Sequence, residues 1–210
     1  MAAEQAIDHP LERLIFFSDA VFAIAITLLV IEIHAPHLPH GAAEGAYWRA
    51  LANLWPSILG YVVSFAVIGL FWMGHHRAFA LSARYSPKVL GWNLGLLGTI
   101  GFMPFATAFL SSNMNAQAPA VFYCLIMLLA AFCNWRVVRV ATGPDMVQPG
   151  ASADSIAYVR ARSFSVLLGS ATAVALGFFL PQMAQAGLVT IPLWLKLLRR
   201  GAARKAARAT

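Results

Sequence analysis

Three clusters of residues have the types and spacing that chemistry inside a membrane would need. Ser18 and Asp19 stand within the apolar run RLIFFSDAVFAIAITLLVIEIH, residues 13–34. A carboxylate in hydrocarbon is among the costliest groups a helix can bury, so it marks either a polar network between helices or a path for a proton or cation. The second cluster is FWMGHHRAF, where His75, His76 and Arg77 follow Trp72. A paired imidazole can titrate near neutral pH, and beside an acid it can equally serve as a fixed partner. The third is HAPHLPH, with His34, His37 and His40 at intervals of three. A polyproline II segment would place them on one face, a spacing that permits a metal or proton site. Solvated loop histidines are the plainer reading, and no metal site is expected. Glu32, just before them, is placed to act as an outer-mouth charge that concentrates cations.

Other chemistries have no foothold. The chain shows no Walker A loop, no H-E-x-x-H, no G-x-S-x-G elbow, and no carboxylate pair poised for hydrolysis. It is expected to be neither an enzyme nor the carrier of a cofactor. The T-V-G-Y-G filter of familiar potassium channels is also missing. Cys124 and Cys133 are nine residues apart on one expected helix, which puts them on opposite sides and rules out a disulfide between them. The glycines of LGLLGTIGFMPF read as close-packing positions between helices.

The elements that must hold these residues are membrane helices. Of 210 residues, 60% are hydrophobic and only 11% charged, whereas about a quarter of a soluble domain is charged. Not one Asp, Glu, Lys or Arg occurs from Val89 to Trp135 or from Ser163 to Leu195. The net charge of +7 therefore reads as membrane topology, and no nucleic-acid partner is expected. The N-terminal MAAEQAIDHP lacks the basic region of a cleaved signal peptide, so the first helix is expected to be retained. Spans of roughly 20 apolar residues are expected near 11–34, 48–75, 87–110, 118–140, 156–180 and 187–200, with a basic tail over 201–210. The sixth is short and contains Pro192, and reaches the interface by snorkelling of Lys196 and Arg199. Six spans put every Lys and Arg except Arg49 on the side of the two termini, which the positive-inside rule makes cytoplasmic.

Helix angles separate the residues of the first span. Ile24, Leu28 and Ile31 form one stripe, with Thr27 beside it. Relative to Ile24, Asp19 lies about 140° around the helix and Ser18 about 120° the other way. If the stripe faces a pore, the acid does not. A stripe of bulky aliphatics is ordinarily packing, however, so angles alone leave the choice open. Asp19 lies at about the depth of His75, His76 and Arg77, with Trp72 able to supply an indole donor and Asn93 an amide. Such groups can satisfy one another as a network.

These residues carry a resemblance. Arg13, Phe17, Ser18 and Asp19 stand as R-x-x-x-F-S-D, followed by AVFAIAITLLVIEI. This resembles the first-helix signature of the transmembrane protein 175 family, which includes bacterial potassium channels and a lysosomal potassium channel. FWMGHHRAF, and Asn93 with MPFATA, resemble the same family in the same order, over about residues 11 to 110. The resemblance implies an all-α integral membrane protein of six helices per subunit, in a bacterial plasma membrane, with helix 1 lining the central pore of a homotetramer. It implies a hydrophobic constriction at Ile24, Thr27, Leu28 and Ile31, passive conduction of potassium ions, and a structural network of Arg13, Ser18 and Asp19 with Trp72, His75, His76 and Asn93. Expected partners are further copies of the chain, membrane lipids and potassium. The rival readings are a proton-coupled or other secondary transporter, which would need ionisable residues near the midplane, and a scaffold without transport.

Overall fold

Residues 9–206 are described, in a computed structural model, by seven α-helices and one 3₁₀ segment with short connections. The helices are α1 (His9–Ile31), α2 (Glu44–Asn53), α3 (Trp55–Phe79), α4 (Pro87–Ser111), α5 (Gln117–Ala141), α6 (Ala153–Phe179) and α7 (Ile191–Ala206), with the 3₁₀ segment over Pro181–Thr190. Five of them, α1 and α3 to α6, are long and apolar enough to cross a membrane. The chain is an all-helical integral membrane protein. Residues 207–210 of the expected basic tail lie outside the described residues.

Local chemistry sets several of the boundaries. Ser86 caps α4, its hydroxyl accepting from the Lys88 amide at 3.3 Å, and Pro87 follows at the first helical position, where its missing N–H costs nothing. Ser152 caps α6 in the same way through the Ser155 amide, with Asp154 in the positive first turn. At the other end of that connection the Arg160 guanidinium donates to the Thr142 hydroxyl at 2.9 Å and to its carbonyl, closing the C-terminus of α5.

Two expected spans differ from what is observed. The second, expected over 48–75, is divided at Leu54 into α2 and α3. Pro56 has no amide to donate to the carbonyl four residues back, so a helix arriving from Glu44 stops and a new one starts with Pro56 in its first turn. The resulting α2 has no buried residue and touches only α3, leaving Tyr47, Trp48 and Leu51 exposed. The sixth, expected over 187–200, is a 3₁₀ segment up to Thr190 and an α-helix from Ile191.

Helices α4 and α5 form the centre. α1 and α3 lie against α4, and α6 against α5, with the 3₁₀ segment and α7 packed on α6. The main core joins Phe22, Ile68, Leu96, Ile100, Met103 and Met127, and both cysteines are free and buried. Between α6 and the 3₁₀ segment the backbones nearly touch. A Cβ at Gly187 would fall 2.5 Å from both the Cα and the N of Ala173, and one at Gly177 would meet Val121 and Ala184. Small residues allow this approach, which takes the place of hydrophobic driving force between helices in lipid. Gly187→Ala is therefore expected to push backbones apart at a cost of about 1–3 kcal/mol. Gly98→Ala, which points into open space, should cost nothing. Thermal unfolding of the detergent-solubilised protein measures the difference.

Candidate conduction face and its polar anchor

α1 is buried along one side only. Leu14, Ser18, Phe22, Ala25 and Leu29 recur at steps of three and four and pack inward. At about 100° per residue, Thr27 stands about 180° from Ser18, Ile31 about 140°, Ile24 about 120° and Leu28 about 80°. Ile24, Thr27 and Ile31 point away from the rest of the chain, with Ile24 57% and Ile31 67% exposed, and Leu28 lies on the flank at 40%. The one polar group among them is prepared in a particular way. The Thr27 hydroxyl donates its proton to the Ile24 carbonyl at 2.8 Å, so both of its lone pairs remain available as acceptors.

The buried side of α1 is anchored by a continuous hydrogen-bonded chain across three helices. Ser18 Oγ donates to the Leu14 carbonyl at 2.7 Å, Asn93 Nδ2 donates to Ser18 Oγ at 2.8 Å, and Asn93 Oδ1 lies 2.8 Å from His75 Nε2. Because the Asn93 oxygen can only accept, His75 carries its proton on Nε2. All three side chains are at most 1% exposed, a depth at which an unmade bond costs the full desolvation of the group. The His75 ring is further held between Phe22 and Phe79, at centroid distances of 5.5 and 4.5 Å.

Asp19 belongs to a separate, shallower pair. Its carboxylate accepts from the Trp72 indole N–H at 2.8 Å, and the Trp72 ring lies 5.7 Å from that of His76. Trp72→Phe strips the half-buried carboxylate of this donor and is expected to cost about 1–3 kcal/mol. Asp19→Asn keeps an acceptor oxygen and should cost less. The reverse order in thermal unfolding would show that the charge itself has another partner.

The expected seven-residue network is thus two units, and Arg13 joins neither. Arg13 is exposed and makes no hydrogen bond or ion pair among the described residues. It lies six residues before Asp19, about 120° around the helix, on the side away from α3 and α4. His76 takes part only through its ring. Glu32 sits half-buried just past the end of α1, and its carbonyl oxygen is 3.1 Å from His34 Nδ1. His34, His37 and His40 are exposed, and no group of three or more His, Cys, Asp or Glu side chains among the described residues is placed to hold a metal.

One polar cluster gave no signal in the sequence. Ser64 of α3 shares hydrogen bonds with the hydroxyls of Thr107 of α4, at 2.7 Å, and Tyr123 of α5, at 3.1 Å. It ties the central helices together toward the end opposite His75. Isolated hydroxyl residues in apolar helices are too common to stand out until their partners are known.

Comparison with known proteins places this arrangement. A family model described as endosomal/lysosomal potassium channel TMEM175 matches residues 13–104, which hold the α1 face and every residue of both polar units. A potassium channel of Streptomyces collinus is 35% identical over 170 residues, spanning 77% of this chain and 80% of that protein. A potassium channel of Chamaesiphon minutus is 40% identical over 136 residues, 63% of this chain and 66% of that protein. The crystal structure of a lysosomal potassium-selective channel TMEM175 homolog from Chamaesiphon minutus superposes with a TM-score of 0.76 at 31% identity, covering 90% of this chain and 98% of that one. With identity and coverage of that order, the chain belongs to the TMEM175 family.

Proposed function

We propose that this protein is a passive, potassium-permeable channel, a homotetramer whose four α1 helices line a central pore. The observation that carries the reading is the division of α1 into a buried, hydrogen-bonded face and an outward face bearing Ile24, Thr27, Leu28 and Ile31. Potassium as the permeant ion rests on the channels it resembles.

Around a fourfold axis, four Ile24 side chains make an apolar ring that offers a cation no ligands and can empty of water. One turn further out, four Thr27 hydroxyls present lone pairs, since their protons are committed to the Ile24 carbonyls. Glu32 lies past the outer end of α1, where its charge draws cations toward the mouth. Ser18, Asn93 and His75 hold the rotation of α1 and take no part in conduction.

Six spans per subunit fit the 3₁₀ geometry. A 3₁₀ helix rises about 2.0 Å per residue, so the ten residues Pro181–Thr190 climb roughly 20 Å, and Ile191 to Leu198 in α7 add roughly 12 Å. That matches ~30 Å of hydrocarbon. Both termini then face the side rich in Lys and Arg, which is cytoplasmic in a bacterial plasma membrane by the positive-inside rule.

Purified protein in liposomes under a potassium gradient tests the reading. Current that reverses at a potassium-dependent potential supports it. Saturable electroneutral flux would instead make the protein a carrier, and absence of flux a scaffold. Cross-linking or mass measurement of the detergent-solubilised particle tests the tetramer.

A further inference from the structure

Away from α1, a cavity of about 400 Å³ opens between α3, α5, α6 and the 3₁₀–α7 segment, within the size range of small-molecule sites. Its walls are apolar, with Val67 from α3, Met127 from α5, Val166 from α6 and Leu188 from the 3₁₀ segment. It reaches the surface beside Leu70 and Val189, which are 49% and 79% exposed. From Val67 to Arg77 it follows α3 for roughly 15 Å, the height of one leaflet of a ~30 Å hydrocarbon core.

The cavity is polar at one end. Arg77 and Arg162 line it there, and neither guanidinium has a hydrogen-bond or ion-pair partner among the described residues. Asn134, only 4% exposed, lines the same space, and its Oδ1 is buried with no partner. An amide oxygen left unmade in this way is costly in a protein interior; as placed it is closed off from the cavity that Asn134 lines, and a ligand offering a polar atom there would favour rotation of the amide toward the open space. We infer that the cavity binds an anionic phospholipid of the cytoplasmic leaflet, with its phosphate on Arg77 and Arg162, its glycerol-ester region at Asn134, and an acyl chain running up toward Val67.

The chemistry matches at each level. Two forked guanidiniums suit phosphate oxygens, and basic pockets between helices on the cytoplasmic side are where such headgroups bind. A glycerol hydroxyl satisfies the Asn134 oxygen once the amide has rotated toward the cavity. The apolar walls rise from Leu70 to Val67 and Leu188, a lining suited to an acyl chain. The inference uses the membrane orientation proposed above and does not depend on conduction.

Lipid retention tests it without any flux measurement. Delipidated protein is incubated with vesicles of phosphatidylglycerol or phosphatidylcholine bearing identical acyl chains, and bound lipid is counted by native mass spectrometry. We expect about a tenfold or greater preference for phosphatidylglycerol, lost in R77Q/R162Q. Gly74, also on the cavity wall, would direct a Cβ into open space, so Gly74→Leu should fill the cavity and release lipid with both arginines intact. Equal retention of the two lipids by the native protein overturns the inference whether or not any variant folds. So does a preference that survives both variants, displacement of the bound lipid by inorganic phosphate alone at matched concentration, or a second copy of the chain seated in the cavity of the assembled particle.

Discussion

Ile24→Asn protein in liposomes should carry at least roughly tenfold more current than the native protein and discriminate far less between potassium and sodium. In the proposed tetramer the Ile24 ring would make an ion shed water without replacing it, and sodium, which holds its water more tightly, would lose more at such a constriction. Four carboxamides at the same level supply oxygens and keep the ring wet. Lowering the barrier by only about 1.4 kcal/mol is tenfold in rate. The comparison needs a second polar substitution on α1, and Val30 provides it. Val30 is 53% exposed but lies about 120° around the helix from Ile24, so Val30→Asn should leave current and permeability ratio as they were. Unchanged currents in Ile24→Asn would remove Ile24 from the pore. Equal increases in both variants would mean that asparagine on α1 simply opens a leak.

This test was largely visible in the sequence, for an identifiable reason. A helix apolar all round has no periodicity from which to choose a face, and α1 is such a helix. What breaks the degeneracy is Ser18, a small polar residue that needs a buried partner, and the partner is Asn93, 75 residues away. Once Ser18 points inward, 100° per residue sends Ile24, Thr27 and Ile31 outward. The motif in which Ser18 stands therefore reports the orientation of residues that contain no signal of their own. Arg13 entered the expected network through the resemblance alone; it stands about 120° around the helix from Asp19 and makes no bond among the described residues.

Where the sequence was silent, backbone and packing decided. Trp48 to His75 is apolar enough to read as one span, and hydropathy does not register that Pro56 forces a break at Leu54. The residues before the break then form α2, whose aromatic side chains are left exposed, as they are in the belts at membrane interfaces. The 3₁₀ segment was equally hidden. It packs Gly187 against Ala173, a contact between elements that no local pattern encodes. Ser64, Thr107 and Tyr123 were missed because none has a polar neighbour in sequence, although together they join three helices.

The anchor of α1 yields the second large effect. Asn93→Leu should destabilise the subunit by about 1–3 kcal/mol, and the loss falls mainly on one group. Ser18 still donates to the Leu14 carbonyl and forfeits only a bond it accepted. His75 is left with a buried Nε2–H and nothing to receive it. His75→Phe alone strands the Asn93 oxygen in the same way, although a phenyl ring fits between Phe22 and Phe79. In the double variant neither polar group remains, and replacing both partners of a buried bond by apolar groups of similar shape can be nearly neutral. The two substitutions together should therefore cost less than the sum of their separate costs, with a coupling of about 1–2 kcal/mol, read from the thermal unfolding of all four proteins. Strict additivity would mean that the 2.8 Å contact contributes nothing. The double variant also separates stability from function. With the Asn93–Ser18 bond gone, packing and the Asp19–Trp72 bond are left to hold the rotation of α1, and one residue of slippage turns Ile24 by about 100°. A double variant that is stable yet conducts without selectivity would show that the polar chain is kept to aim the helix.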